Sequence, residues 1–561
     1  MPDKATISRA TDQHRKPRKW GKWIAVLVLS VLLGGLLFWL YYRKQIVREQ
    51  LESAVWDGTD GLYQISYDEM RLDEWTGRIQ FKNLQLNYDT SRYKSLRAEN
   101  QAPAFLMRIK IPKLEINGVE TPRALLSRQL KADEIQIHQP QVDWIAVEKS
   151  DTTSSSFPSN EELVEVLGNL RWLRINRIQI HAGEFEKTRL GDIRDSMLLT
   201  GIYLRLDSIA IDSSEQFDAE RMLFAKEIDL AVKQFNWRSS DGLYRCQIDS
   251  VRIDSRADQL QLARFRWQPV QNELDFMKGQ RFATDRIDAE LRQLVFSGLQ
   301  IPKMMRDSII ADSIGIGSGF VLLYRDLGLP HDGKNRVGTY PPQLLNKLGS
   351  VIDIPIVAGN NLLIEYKERN AENRKAGAVR FEQTSFDIRN LSNNGKPGDG
   401  NEPIQLNATS RFMGVSNLNA KWKFNLEGKP ELFSVAGVLG PMPRSSINKL
   451  IEPMGSARME DGEVHSLQFN FMGNNHRMWG KLQLQYKDLR ISLLQPTPDK
   501  KPSKKWLASL AANLFTRSSN MPDKGEPAEE YEVKNERDPH RSIFHLIWKS
   551  IFEGIKTTMG R

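Results

Sequence analysis

The chain has 561 residues, 40% of them apolar and 27% charged, with a formal net charge of +9 at pH 7. That length allows a sizeable core or several domains, and the mild basic excess fits a membrane surface as readily as a nucleic acid. Cys246 is the single cysteine, which excludes an intrachain disulfide and a cysteine-built metal site.

Residues 1–22 form a basic segment, with lysine or arginine at positions 4, 9, 15, 16, 18, 19 and 22. Residues 23–42, WIAVLVLSVLLGGLLFWLYY, contain no charge. As a helix this run reaches about 30 Å, the thickness of a bilayer's hydrocarbon core. Leu33 lies in its middle, and Trp23, Trp39 and Tyr42 lie towards its ends, where aromatic belts form. Only Arg43, Lys44 and Arg48 follow closely, so the charge bias predicts a single pass with a cytoplasmic N-terminus and the bulk of the chain across the membrane. A cleaved signal peptide is the competing reading, but the run is long and ends in LYYRK rather than a small-residue cleavage site.

Residues 43–495 read as strands. An octet with apolar residues at its first, third, sixth and eighth positions recurs as ISYDEMRL (65–72), IQFKNLQL (79–86), IKIPKLEI (109–116), LRINRIQI (173–180), CQIDSVRI (246–253) and LQYKDLRI (484–491). Looser copies are LRLDSIAI (204–211), LAVKQFNW (230–237), LQLARFRW (260–267) and LVFSGLQI (294–301). Alternation marks a half-buried strand. The skipped beat reads either as a two-residue hairpin turn or as a β-bulge. No strict copy has glycine at the skip, which favours bulges in continuing strands, and repeated bulges curl a sheet into a trough. Residues 60–87 align without gaps to 241–268, beginning at Asp-Gly-Leu-Tyr in both, with both octets in phase. Repeats of this kind imply a sheet that grows by addition, or an ordinary antiparallel domain with duplicated hairpins.

Short helices are predicted at 161–173, 341–352 and 445–455, and linkers at 151–160, 392–403, 496–505 and 518–540. Segment 496–540 reads as a partly disordered linker carrying a short amphipathic helix at 504–515. In 541–561, Phe544, Ile547, Trp548, Ile551, Phe552, Ile555 and Met559 fall on one helical stripe. Such a helix either lies in a membrane interface, binds an envelope protein, or packs on the protein's own sheet.

No catalytic constellation stands out, so the chain does not read as an enzyme, and neither a cofactor nor a metal is expected. GIGSG (315–319) sits in a strand-like segment and leads into no helix, so a phosphate cradle is the weaker reading. Cys246 takes an apolar slot of an octet, as a buried thiol does. Asn390-Leu391-Ser392 and Asn407-Ala408-Thr409 match the glycosylation sequon, a match common by chance. No basic stripe interleaved with aromatic residues suggests nucleic acid. A tethered sheet with one apolar face is expected to shield lipid acyl chains, with Ile79, Phe81, Ile135, Ile137, Ile178, Ile180, Leu260 and Leu262 in the groove.

Several stretches resemble the AsmA-like family of bacterial envelope proteins, whose architecture is that of bridge-like lipid transfer proteins. They are LEINGVETPRALLSRQLKADEIQIHQPQVDW (114–144), LRINRIQIHAGEFE (173–186), FSVAGVLGPMPRSSINKLIEPMGSARMEDGEVHSLQFNFMGN (433–474) and GKLQLQYKDLRISLL (480–494), together with the apolar run at 23–42. The likeness covers most of residues 20–495. It implies a mainly β fold: an N-terminal transmembrane helix, an elongated, curled antiparallel β-groove in the periplasm, a few short helices and a C-terminal amphipathic helix. It further implies an inner-membrane protein that moves phospholipid towards the outer membrane, with effects on outer-membrane assembly. A non-transporting structural or assembly factor for outer-membrane biogenesis is the alternative.

Overall fold

The computed structural model describes residues 52, 55–57, 59–73, 76–103, 105–119, 129–147, 172–189, 192–212, 224–304, 307–371, 373–394, 402–425, 429, 431–455, 457–494, 517–523 and 525–560. The expected anchor residues Trp23, Leu33, Trp39 and Tyr42, the predicted helix at 504–515 and most of that at 161–173 lie outside them. Among the described residues no helix is long and apolar enough to cross a membrane.

The protein is mainly β; the described residues form 22 largely antiparallel strands, a few short helices and one longer C-terminal helix. It divides into two compact units, one of residues 1–178, 207–219 and 223–225, the other of residues 179–206, 220–222 and 226–561.

The first unit contains β1 (Tyr63–Ser66), β2 (Glu69–Asp73), β3 (Arg78–Tyr88), β4 (Phe105–Asn117), β5 (Gln129–His138) and β6 (Gln141–Ala146). β1 and β2 both pair with β3, β3 pairs with β4, and β4 pairs with β5 and β6, all antiparallel. Their apolar positions meet in register, as in Leu72–Ile79–Ile116–Ile135 and Met70–Phe81–Leu114–Ile137. The helix Thr90–Ala98 joins β3 to β4. Asp89 caps it by accepting hydrogen bonds from the Ser91 and Arg92 N–H groups at 2.7 and 2.9 Å, and Tyr93 and Leu96 are buried.

β7 (Trp172–Arg189) and β8 (Asp192–Asp212) contribute residues to each unit. The second unit continues with β9 (Glu227–Arg238), β10 (Tyr244–Asp254), β11 (Gln259–Pro269), β12 (Arg286–Ser297), β13 (Ile309–Ile310), β14 (Ser313–Asp326), β15 (Ile352–Arg369) and β16 (Ala376–Ser392). It ends with β17 (Ile404–Phe412), β18 (Ser416–Phe424), β19 (Phe433–Leu439), β20 (Ala457–Gly473), β21 (Arg477–Leu493) and β22 (Tyr531–Glu536). From β9 to β12 each strand pairs with the next; β12 then pairs with β14, and sequential pairing runs from β14 to β22.

One junction departs from the antiparallel expectation. β13 and β14 both pair parallel with β15, because the chain returns through residues 327–351 before re-entering the sheet. The helix in this crossover is Pro341–Leu345, shorter than the predicted 341–352. Segment 518–540 is also not all linker, since β22 extends the sheet by pairing with β21. Tyr531 and Val533 supply the alternating apolar pair that makes it a strand. Helix Arg444–Gly455 lies close to the predicted span. Asn448 ties it to β20, accepting from the Met459 N–H at 2.7 Å and donating to the Met459 carbonyl at 2.9 Å.

In LQYKDLRI the skipped beat is the expected bulge, because Asp488 and Leu489 face Gly462 alone and the register with β20 shifts there; in IQFKNLQL and CQIDSVRI it is neither a hairpin nor a bulge. IQFKNLQL, LRINRIQI and CQIDSVRI each lie wholly inside one strand. Asp249 faces Arg264 and Val251 faces Leu262, so the register is unchanged across the skip, and only Ser250 and Ala263 leave the ladder. The same holds for Ser250 with Lys233, Ala263 with Gln293, and Gln293 with Gly317. Neighbouring strands thus change phase at one level together. A two-against-one bulge would shift the register instead. Asn83, Ser208, Ser250 and Asp488, each the fifth residue of its octet, take φ of 49°, 56°, 55° and 50°. A left-handed residue turns the strand by half a beat and returns the next apolar residue to the face it left.

Candidate functional site

Because phase changes coincide on adjacent strands, one face stays apolar through the second unit. One cross-strand row runs Leu230–Ile253–Leu260–Phe296–Ile314–Val357–Ile388, then Leu406–Trp422–Val435–Phe471–Gly480–Val533. A second runs Val232–Val251–Leu262–Leu294–Ile316–Gly359–Phe386, then Ala408–Ala420–Gly437–Phe469–Leu482–Tyr531. Each row crosses thirteen strands without a charged side chain. Trp237 and Trp267 flank Cys246 farther along the strands, with ring centroids 5.8 Å apart, and Tyr244 stacks on Trp267 at 5.2 Å. Cys246 is 7% exposed, and burial pushes its thiol pKa up to about 11, so it is no activated nucleophile.

The opposite face is ionic. Arg264 pairs with Asp249 at 2.6 Å and reaches Glu290 at 3.9 Å; Glu290 also pairs with Arg292 at 2.6 Å and Arg266 at 3.7 Å. Arg266 binds Asp288 as well, and its guanidinium lies 5.1 Å from the Phe320 ring centroid. Gln247 and Arg264 donate to Asp249; burial opposes its ionisation, but these hydrogen bonds prevail and hold its carboxyl below the usual range. A shallow depression of about 420 Å³ lies across β15 to β18, bordered by Asn360, Ser385, Asp387, Asn407, Asn419 and Lys421. Phe386, Ala408 and Ala420 of the second row also line it, alternating along the strands with these polar positions. GIGSG is part of β14, and Gly319 is required there because a Cβ would overlap the Glu290 carbonyl oxygen.

The apolar face is covered unequally. On β9 to β14, Leu230, Leu262, Phe265, Ile314 and Ile316 are half-buried, whereas Val232 and Leu294 are buried and Ile253, Leu260 and Phe296 pack against a small core of Leu299, Ile301 and Ala311. On β19 to β21, Phe433, Val435, Phe471 and Leu482 are 0–2% exposed and form one core with Ile543, Leu546, Ile547 and Met559 of the helix Ile543–Gly560. Helix Arg444–Gly455 closes another patch, packing Leu450 with Val379, Phe412 and Met442.

The residues expected to line a groove divide accordingly. Ile79, Phe81, Ile135 and Ile137 are 0–7% exposed and form sealed core in the first unit. Ile178 and Ile180 of β7 are half-buried, as are Leu260 and Leu262. Phe265, Phe296, Ile314 and Ile316 were not among the expected groove residues, although the octet LQLARFRW already placed Phe265 on the face of Leu260 and Leu262. Ile314 and Ile316 were obscured by the glycines between and beside them.

The C-terminal stripe also divides. Ile547 and Met559 face the sheet together with the small residues Ser550, Gly554 and Thr558, while Ile551 and Ile555 pack at the margin of the core. Phe544, Trp548 and Phe552 are 64%, 44% and 37% exposed. Close approach to β21 and β22 selects the small-residue side of the helix and turns the aromatic side outward. No family model matches the chain, and no curated protein matches it.

Proposed function

We propose that the apolar face of the second unit shields phospholipid acyl chains in a β-groove, in a protein anchored in a bacterial inner membrane with its bulk in the periplasm. Two register-continuous apolar rows, half-buried over β9 to β14 except at Val232 and Leu294, carry this reading. At about 4.8 Å per strand, the five strands β9 to β12 and β14 present roughly 20 Å of this face, and its continuation on β19 to β22 is covered by the C-terminal helix. Moving a chain through water is opposed by about 0.8 kcal/mol per exposed CH₂ group. A face that covers the chains while the headgroup stays wet removes most of that cost and needs no catalytic group. Trp237, Trp267 and Tyr244 fit the margin between apolar and wet surroundings. Such a protein contributes to phospholipid transport between the two membranes and to envelope homeostasis.

The test is photo-crosslinking of the full chain in nanodiscs that contain a phospholipid with a photoactivatable acyl chain. Crosslinked peptides are expected from β9 to β16. Crosslinks confined to residues 23–42 would sink the groove reading.

A scaffold for outer-membrane assembly is favoured by a separate observation, the sealing of the apolar face in the first unit and beneath the C-terminal helix. Absence of lipid from the sheet, with lost outer-membrane integrity on deletion of the protein, would support it.

A further inference from the structure

We infer that the ridge of Phe544, Trp548 and Phe552 docks on a phospholipid bilayer bearing anionic headgroups, at the end of the apolar path. This deepens the lipid-shielding reading and rests on it. The three aromatic residues follow each other at intervals of four, so they stand in one line along the helix. All are exposed, although the same helix buries Ile543, Leu546 and Ile547 against the sheet.

Two observations select the occupant. The first is continuity. The Phe544 ring lies 5.8 Å from Trp422, which belongs to the cross-strand row that begins at Leu230. Trp422 thus joins that row to the ridge at Phe544. The second is charge. At 100° per residue, Lys556 and Lys549 follow Phe552 round the helix, and Arg541 precedes its first turn; Lys556 pairs with Glu553, the one acid of the helix, at 3.7 Å, which leaves Lys549 and Arg541 as the excess positive charge. An apolar ridge with a cationic flank matches a bilayer interface, where aromatic rings enter the acyl boundary and lysines meet phosphate. The orientation is fixed, because Gly554 sits tightly on Leu482 and Val533 and the ridge therefore points outward.

The experiment uses the full chain in nanodiscs and fluorescent acceptor vesicles of phosphatidylethanolamine with about one-third phosphatidylglycerol, a proportion chosen to give an anionic surface. Vesicle capture is compared between the wild-type chain, a triple Phe544→Ser, Trp548→Ser, Phe552→Ser variant, and a chain lacking residues 497–515. Photoactivatable-lipid crosslinking to β9 to β16 is read in parallel. The triple variant is expected to lose capture by at least about tenfold while keeping its crosslinks, since its substituted residues are exposed. Unchanged capture in the triple variant overturns the proposal, as does loss of capture only on removal of 497–515. Equal capture of phosphatidylcholine-only vesicles overturns the choice of an anionic surface. Capture that depends on the ridge, in a chain without crosslinks on the sheet, supports the docking surface and overturns the shielding reading alone.

Discussion

Gly554 meets Leu482 so closely that a Cβ on the glycine would stand 2.8 Å from Leu482 Cδ1 and 3.0 Å from Val533 Cγ2. The C-terminal helix therefore seats itself by lacking a side chain. Gly554→Val is expected to destabilise the second unit by about 2–3 kcal/mol through overpacking and to raise hydrogen exchange across Ile543–Gly560. Phe552→Ser, on the exposed side, is expected to leave both unchanged.

Ser250 separates the two effects of the phase change, because it is exposed and has φ of 55°. Ser250→Gly is expected to stabilise by roughly 0.5–1 kcal/mol, and Ser250→Val to destabilise by more than 1 kcal/mol. Urea unfolding midpoints would show it. Equal midpoints for the two variants would mean that the left-handed turn is not what resets the strand.

Glu290 is 9% exposed and serves three arginines, Arg264, Arg266 and Arg292. Glu290→Gln keeps its shape and removes the charge. The change is expected to cost about 1–3 kcal/mol, since Arg266 is itself only 15% exposed and is left with Asp288 as its carboxylate partner. Thermal unfolding of the two proteins at matched salt gives the comparison.

Cys246 gives a pH signature. Burial raises its thiol pKa from 9.0 to about 11, so the fold favours the neutral form. Its contribution to stability is complete below pH 9.0 and declines as pH rises towards 11. Thiol reagents are expected to modify the native protein slowly at pH 8 and rapidly in denaturant. Rapid labelling of the native chain would contradict the burial.

Leu262 and Ile316 lie in the second cross-strand row and are half-buried. Paired Leu262→Asp and Ile316→Asp changes place two carboxylates in the proposed path while each retains access to water. Photo-crosslinking of acyl chains to β9 to β16 is expected to fall at least about tenfold, with far-ultraviolet circular dichroism unchanged. Retained crosslinking would show that lipid does not follow the row.

Much of the fold was legible because strand alternation is a local property. The octet CQIDSVRI alone assigns Cys246, Ile248, Val251 and Ile253 to one side, and β10 presents those residues on the apolar face. The C-terminal helix was legible in the same way, as a period near 3.6. Its seating was not. Ser550, Gly554 and Thr558 look unremarkable in a sequence, yet their small size lets the helix approach β21 and β22. The parallel pairing of β14 with β15 was also hidden, because it depends on where the crossover 327–351 lands. Arg336 in that crossover donates its N–H to the Pro539 carbonyl at 2.7 Å, a contact between residues far apart in the chain.

The amino-acid order by itself determined which side of each strand is oily, since neighbouring residues set side-chain direction through backbone geometry. Only the tertiary structure decided which stretches of that side are covered. Phe81 and Leu262 occupy equivalent slots in their octets, yet one is 2% exposed and the other half-buried. Coverage depends on which distant segment returns over the face, and no local pattern of apolar residues encodes that.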